Sequence, residues 1–364
     1  MYNFIFWLLY YIRCAFNIIY SYCNKRNGII QKFTNNSNKI KINDHLYIVK
    51  LYGSYYQMGQ QYGILMENIL TKDLSNFISF IEKNQHYFMR NLPKKFRKGD
   101  IFQSILYYFG ENKKNFNNDI LEFIEGVSNT SNLKYRDLLY VNLFSDIVDN
   151  HCILLSKKIN KKILHLRTLD FGLPVMVHTL FCFHPNNKIP YISLNFNHLF
   201  GLYTGLSKKG IFFGESYYDF KIGELSFQGM PFHHISHKIL SEANNLKESE
   251  KILTQCQRKS NLQLLISDNN NSKIYLSCID KLNVQQEGDM VFSVTPNEKE
   301  NFDKNFHLLT DIDSVINKFI PRTKSGEMHT MVYYDNHVYI SVTDNVLQSY
   351  NNSFYKFHIN DLIT

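Results

Sequence analysis

A cysteine, an arginine and an aspartate near the middle of the chain have the side chains of a thiol-activating site. Arg167 follows Cys152 by fifteen positions, and Asp170 follows it by eighteen. A free thiol is only a few per cent thiolate at neutral pH, so a nucleophilic cysteine needs a nearby positive charge or a base. If the chain is cut between His151 and Cys152, the new α-amino group, with an ordinary pKa of about 8, is such a base. In this interpretation Arg167 holds the thiolate and Asp170 orients the amine.

The same three residues also fit a purely structural interpretation. Cysteine is among the most buried residue types, and Cys152 would then be a small apolar side chain at the start of a strand. Arg167 and Asp170 would form a local ion pair. Their spacing alone leaves both interpretations open.

A lysine-rich turn is predicted to bring the thiol and the arginine together. Apolar residues at 152–156 and 163–168 flank the lysines at 157–162, which is typical of a β-hairpin. The hairpin would place Cys152 and Arg167 on adjacent strands.

Seven short segments, taken in order, resemble one enzyme family. They are GSYYQMGQQYG at 53–63, IEGV at 124–127, DLLYVN at 137–142, RTLDF at 167–171, GLSKKGI at 205–211, GMPFHHI at 229–235 and MHTMVYYD at 328–335. Their order and spacing resemble the penicillin acyltransferase-like cysteine branch of the N-terminal-nucleophile (Ntn) hydrolases, which has acid ceramidase-like and bile salt hydrolase-like relatives. The resemblance covers residues 45–345.

The resemblance implies a fold and an activity. The fold is α+β, a four-layer αββα Ntn-hydrolase sandwich preceded by a helical N-terminal segment. The activity is that of a cysteine amidohydrolase or acyltransferase that acts on a linear non-peptide amide, of the N-acyl lipid or N-acyl amino-acid type. Self-processing between His151 and Cys152 would supply the base, so no metal or organic cofactor is expected.

The family resemblance also implies an asparagine that stabilises the oxyanion, after a strand and next to a threonine. Here Thr295, Pro296 and Asn297 follow an apolar run, and Asn297 is the candidate. The alternative is a plain turn, because proline and asparagine favour turns. Asn195 and Asn197 are further possible donors.

Two residues depart from the family pattern, which usually has glycine before the nucleophile and threonine or serine after it. This chain has His151 and Ile153 at those positions. A second hypothesis is therefore a catalytically inactive Ntn-fold protein that acts as a membrane-associated binding or structural protein. A third is an uncleaved thiol hydrolase that uses His151 or His165 as its base.

Composition and residue spacing argue against nucleic-acid binding, a disulfide framework and a metal site. The net charge of +8 is spread over separate lysine groups, so we expect no nucleic-acid partner. The six cysteines show neither a CxxC pair nor a disulfide framework. His233 and His237 have the spacing of two metal ligands on a helix, but no further ligand follows, and a packed helix face is favoured. The expected partner is a small-molecule or lipid amide substrate.

The chain divides into four regions by composition. Residues 1–26 form a hydrophobic anchor or interfacial helix, with the apolar stretch at 2–23 interrupted by Arg13, and residues 27–44 form a polar linker. The resemblance implies that residues 45–151 are an α-rich part like the family's pro-segment or α-subunit, and that residues 152–364 are the β-subunit-like part of the Ntn core. The stretch at 2–23 favours membrane association or the secretory pathway, with the cytoplasm as the alternative.

Helices are predicted at 57–77, 100–125, 135–147 and 230–256 from apolar spacing. Predicted strands, besides the hairpin, lie at 45–52, 176–183, 189–195, 200–207, 210–214, 261–267, 273–279, 290–294, 328–334 and 337–342.

Overall fold

Fifteen strands form two sheets in the part of the chain that the structure describes. This computed structural model describes residues 37–363 apart from 93, 145–151, 173, 175, 218–228, 259, 260 and 280. The strands are β1 (Asn38–Asn43), β2 (Leu46–Gly53), β3 (Ile153–Ile159), β4 (Lys162–Leu169), β5 (His178–Pro185), β6 (Tyr191–Phe196), β7 (Thr204–Ser207), β8 (Phe212–Tyr217), β9 (Leu262–Ser267), β10 (Ser272–Ser277), β11 (Leu282–Glu287), β12 (Met290–Val294), β13 (His329–Tyr334), β14 (His337–Val342) and β15 (Tyr355–His358).

One sheet has nine strands and the other has six. The order is β1-β2-β5-β6-β7-β8-β9-β10-β11 in the first and β12-β3-β4-β13-β14-β15 in the second. The β2–β5 pair is parallel, whereas the other paired strands are antiparallel. Because β2 lies before Cys152 and β5 after it, the larger sheet joins the two halves of the chain.

Helices lie between the strands and after the last strand in the described chain. They are α1 (Tyr55–Lys83), α2 (Gln85–Asn91), α3 (Ile101–Asn112), α4 (Asn118–Thr130), α5 (Tyr135–Phe144), α6 (Phe232–Glu242), α7 (Leu246–Gln255), α8 (Pro296–Asn305), α9 (Ile312–Ser314), α10 (Ile320–Thr323) and α11 (Ile359–Leu362). A π-helical segment, Val315–Phe319, joins α9 to α10. None of the helices between residues 37 and 363 combines the length and apolar character needed to span a bilayer.

Residues on the faces of the two sheets pack into three apolar clusters. In β2, Val49 and Leu51 pack with the helices of the first half, whereas Leu46 and Ile48 pack with residues of the six-stranded sheet. The opposite faces of a strand separate in this way because side chains alternate. In β3, Leu154 belongs to the cluster shared by the two sheets, whereas Ile153 and Leu155 pack with the helical segment at 302–320. The expectation of a mixed α and β chain is confirmed.

The predicted hairpin around the lysines is confirmed. Ile159 pairs with Lys162 across a two-residue turn, and Leu154 pairs with Arg167. Asn160 and Lys161 have φ values of 49° and 66°. Two consecutive positive φ values match the twist of antiparallel strands in a tight hairpin. The turn therefore fixes the register that sets Arg167 beside the start of β3.

Glycines allow the first helix, α1, to approach α4 closely. At the crossing of α1 and α4, a Cβ on Gly59 would overlap the carbonyl oxygen of Phe123, and a Cβ on Gly126 would overlap that of Tyr56. The two backbones approach so closely that neither position has room for a side chain. This motif of the family resemblance thus has a packing role in this chain.

Three sequence predictions need correction. The end of the predicted linker at 27–44 forms strand β1, in which Ile40 pairs with Ile48 of β2. The predicted helix at 230–256 is two helices, because Ala243 is extended and the Asn245 side chain caps α7 by accepting from the backbone N–H of Glu248 at 3.0 Å. The predicted helix at 100–125 is likewise two helices, with α4 capped by Asn117.

The predicted anchor at 1–26, the linker up to residue 36 and the residue His151 lie outside the described residues.

We expect Gly126→Ala to lower the free energy of unfolding by about 1–3 kcal/mol, because the added methyl must push two helix backbones apart. Gly110→Ala is the matched control, since Gly110 lies on an exposed face of α3 where a Cβ meets nothing within 4 Å. The control should be stabilised by about 0.5–1 kcal/mol. Urea unfolding measures both changes, and equal effects of the two substitutions would contradict the close helix crossing.

Candidate functional site

Arg167 lies fully buried on β4, where it forms an ion pair between the sheets. Its Nη2 lies 2.7 Å from Oε1 of Glu215, and neither side chain is exposed to solvent. Its Nε and Nη2 also donate to the backbone carbonyl oxygen of Glu215 at 3.3 Å. Arg167 therefore pairs with Glu215 on β8 of the other sheet. The expectation of a local Arg167–Asp170 ion pair is wrong.

Glu215 was missed by the sequence analysis. It lies 48 positions beyond Arg167, so no local spacing connects the two. The signal that the sequence does carry is one charged residue inside an otherwise apolar and small strand, FFGESY. A charge in a buried strand needs a partner of opposite charge. Gly214 makes room for that partner, because a Cβ there would press on the stem of Arg167.

Cys152 lies immediately before β3, with its side chain fully buried. Burial raises the pKa of the thiol well above its usual value, while the charge of Arg167 lowers that pKa by more than Glu215 raises it. The carboxylate charge of Asp170 raises the pKa of the thiol further, whereas the backbone of Asp170 lowers it. The structure thus brings Cys152, Arg167 and Asp170 together, with a neutral thiol in the intact chain.

The Asp170 carboxylate holds the loop that precedes β13. Its Oδ2 accepts from Ser325 Oγ at 2.6 Å, and its Oδ1 accepts from the backbone N–H groups of Gly326 and Glu327 at 2.7 and 2.6 Å. Burial raises the pKa of Asp170, and these hydrogen bonds and Arg167 oppose that rise. Asp170 is therefore a rigid carboxylate beside the sulfur.

The candidate oxyanion residue Asn297 lies in the first turn of α8. Strand β12, which leads into this helix, pairs Val294 with Ile153 of β3. The chain that follows Val294 therefore lies level with Cys152. The alternative, that Asn297 lies in a plain turn, is wrong, because the backbone is helical from Pro296 onward.

A second carboxyl group, Glu298, belongs to the same first turn of α8. Partial burial, with Asp170 as the next largest cause, raises the pKa of Glu298 to about 7. The two carboxyl groups are therefore near enough for the charge of Asp170 to oppose ionisation of Glu298. The sequence analysis did not single out Glu298.

The remaining candidates are held by other contacts. Asn195 Nδ2 donates to Ser193 Oγ and to the carbonyl oxygen of Gly201, and Asn197 Oδ1 contacts His198 Nδ1 at 3.0 Å. His165 Nδ1 contacts Ser156 Oγ and Ser267 Oγ at 2.6 and 2.8 Å, and burial lowers its pKa to about 3. A neutral, hydroxyl-bound His165 does not favour the hypothesis of an uncleaved enzyme with this base.

The histidines with metal-like spacing are packed against protein groups. His237 Nδ1 lies 2.7 Å from Tyr191 Oη, and its Nε2 lies 3.5 Å from Asp119 Oδ2. Among the described residues, no group of three or more histidine, cysteine or acidic side chains has the arrangement of a metal site.

Neither of two concave regions of the described chain is lined by Cys152. One groove is lined by residues that include Tyr339, Tyr350 and Phe354, and a small cleft is lined by residues that include Phe213 and Arg258. The Cys152 side chain itself is fully buried.

No protein-family model matches the chain. Among curated proteins, it is similar to protein dcd1B of Dictyostelium discoideum, with 27% identity over 248 residues that cover 61% of this chain and 47% of the relative. It is also similar to protein dcd1A of the same organism, with 23% identity over 246 residues that cover 61% of this chain and 56% of the relative. The chain thus spans about half the length of the curated relatives it matches.

Solved structures give weak similarities. The Caenorhabditis elegans ortholog of N-acylethanolamine-hydrolyzing acid amidase has a TM-score of 0.41 and 13% identity, over 57% of this chain and all of that chain. Penicillin V acylase from Agrobacterium tumefaciens has a TM-score of 0.36 and 11% identity, over 58% and 88% of the two chains. A mutant of conjugated bile acid hydrolase from Clostridium perfringens has a TM-score of 0.35 and 13% identity, over 58% and 93%. TM-scores of this size do not establish a shared fold.

We expect Glu215→Gln to lower the free energy of unfolding by about 3–5 kcal/mol, because the buried guanidinium loses its counter-charge. The double variant Arg167→Met, Glu215→Leu should recover most of this loss, since it removes both buried charges. Asp289→Asn, which breaks the exposed Lys158–Asp289 pair, is the control and should cost less than about 1 kcal/mol.

Urea unfolding of the variants measures these effects. A Glu215→Gln variant as stable as the Asp289→Asn control would contradict the buried pair.

Proposed function

We propose that this protein is a cysteine amidohydrolase or acyltransferase of the Ntn type, with Cys152 as its nucleophile. The substrate class that we propose, a linear non-peptide amide of the N-acyl lipid or N-acyl amino-acid type, follows the sequence resemblance. Arg167 stabilises the thiolate, with Glu215 holding the guanidinium. Asp170 orients the amine and Asn297 stabilises the oxyanion.

The observation that carries the proposal is the electrostatic environment of the Cys152 sulfur. The charge of a buried arginine and the backbone of Asp170 lower the pKa of the thiol, whereas burial and the carboxylates of Glu215 and Asp170 raise it. A nearby positive charge and hydrogen bonds to the thiolate are what make a cysteine nucleophilic. A cysteine with a purely structural role needs neither of these groups.

Complete burial of the sulfur supports a precursor role for the intact chain. Burial raises the pKa of the Cys152 thiol, so the precursor holds a neutral, inaccessible thiol. Cleavage between His151 and Cys152 would release the chain on one side of the cysteine and create an α-amine next to the sulfur. That amine would take the thiol proton as the sulfur attacks the amide carbonyl carbon, and would return it to the leaving amine.

The two products of this cleavage would stay associated. Strand β2 of the first product is paired along its length with β5 of the second, from Leu46 with His178 to Gly53 with Pro185. The first product, with its α-rich part at 45–151, also contributes Tyr62 and Phe123 to the same apolar cluster as Phe181 of β5. The cleaved protein would therefore remain one folded unit.

The three apolar clusters support a four-layer arrangement of helices and sheets. One joins helices to the nine-stranded sheet, one lies between the sheets, and one joins the six-stranded sheet to helices. We propose that these layers stack as α, β, β and α, as in the Ntn fold.

The alternative function is that of an inactive relative with a binding or structural role, tethered to membranes by residues 2–23. The buried sulfur and the residues His151 and Ile153 favour it over an enzyme that is active without processing. Such a protein would remain one uncleaved chain.

Intact-mass measurement tests the proposal. Under denaturing conditions wild type should give two fragments divided before Cys152, and under native conditions their sum. Cys152→Ala should remain a single chain. Cys182→Ala, which removes another fully buried cysteine from β5, is the matched control and should be cleaved like wild type.

An uncut wild type with no activity on any N-acyl amide would overturn the proposed enzyme. Cleavage of the Cys152→Ala variant would overturn Cys152 as the agent of processing.

A further inference from the structure

A buried histidine contacts the arginine of the candidate site from the side opposite Glu215. His329 lies at the start of β13, paired with Leu169 of β4, and is fully buried. Its Nε2 lies 3.1 Å from Arg167 Nη1 and 3.2 Å from Thr204 Oγ1. The ring of His178 meets the His329 ring edge-on at 5.4 Å.

The partner of Nε2 determines the tautomer of His329. An arginine has only donor groups, so Arg167 Nη1 donates and His329 Nε2 must accept. The ring proton is then on Nδ1. Burial, followed by the charges of Arg167 and His178, lowers the pKa of His329 well below its usual value. The imidazole is therefore a neutral acceptor next to a guanidinium.

The contacts of Arg167 account for four of its five N–H groups. Nε and Nη2 donate to Glu215, through its backbone oxygen and its carboxylate, and one N–H of Nη1 donates to His329. The second N–H of Nη1 has no hydrogen-bond acceptor among the described residues. Arg167 pairs with Leu154 across the two strands, and Cys152 lies two residues before Leu154, on the same face of the sheet. The thiolate of Cys152 or a substrate oxygen would accept from this N–H.

We propose that His329 is a positioning residue, which turns the Nη1 edge of Arg167 so that its remaining N–H is directed to Cys152. This inference rests on the proposed function, because it assumes that the Cys152 thiolate is the nucleophile. His329 suits this task because a neutral acceptor orients the guanidinium without neutralising its charge. A carboxylate in its place would add a third negative charge to those of Glu215 and Asp170, which already oppose the thiolate.

Two polar replacements of different length test the proposal. The amide oxygen of glutamine reaches the position of Nε2, whereas that of asparagine stops near Nδ1. His329→Gln should therefore keep the hydrogen bond to Arg167, and His329→Asn should lose it. His178→Leu is the control, since it changes the neighbouring buried ring and leaves the Arg167 contact in place.

The probe is iodoacetamide, applied to the cleaved protein at pH 7. Peptide mass spectrometry measures the rate at which Cys152 is alkylated. We expect His329→Asn to alkylate about ten-fold more slowly than wild type, the loss that one unit of thiol pKa would give. His329→Gln and His178→Leu should stay within about three-fold of wild type. Thermal unfolding of each variant shows whether it is folded.

The outcomes separate the positioning role of His329 from the proposed function of the protein. Wild-type rates in His329→Asn, or equal losses in His329→Asn, His329→Gln and His178→Leu, would overturn the positioning role while Cys152 remains the nucleophile. A wild-type protein that is uncleaved and has no activity on N-acyl amides, or whose Cys152 is no more reactive than Cys182, would overturn the proposed function and this inference with it.

Discussion

The Arg167–Glu215 ion pair is the interaction on which the rest of the candidate site depends. Two fully buried charges, one from each sheet, lose most of their contact with water, and they are tolerated only because their geometry and hydrogen bonds repay that cost. The pair therefore fixes how β4 and β8 face each other. It also places a positive charge beside Cys152 that solvent does not screen.

Each charge in this pair has an opposite effect on the thiol. Arg167 favours the thiolate and Glu215 opposes it, so the outcome depends on which is better placed toward the sulfur. The charge of Asp170 also opposes the thiolate. The residues around the pair, Gly214 beneath the arginine stem and His329 at its far edge, shape that placement.

Local features of the candidate site could be predicted from the sequence, because they depend on short-range geometry. The two-residue turn at Asn160 and Lys161 sets the β3–β4 register, and that register puts Arg167 next to the strand that Cys152 begins. The sequence could not identify Glu215 as the partner of Arg167, because strands from different sheets meet only in the folded chain. The same limit applies to Asp170, whose partner Ser325 lies 155 positions away. The break at Ala243–Asn245 was missed because apolar spacing continues across it.

Once the chain is cut, Cys152 is proposed to become an accessible nucleophile with its own amine. The most direct measurement is to expose the cleaved protein to an activated fatty-acyl ester and to map the acyl adduct by peptide mass. We expect an adduct on the peptide that begins with Cys152, and none on the peptide that contains Cys182. Acylation of both cysteines to the same extent, or of neither, would contradict it.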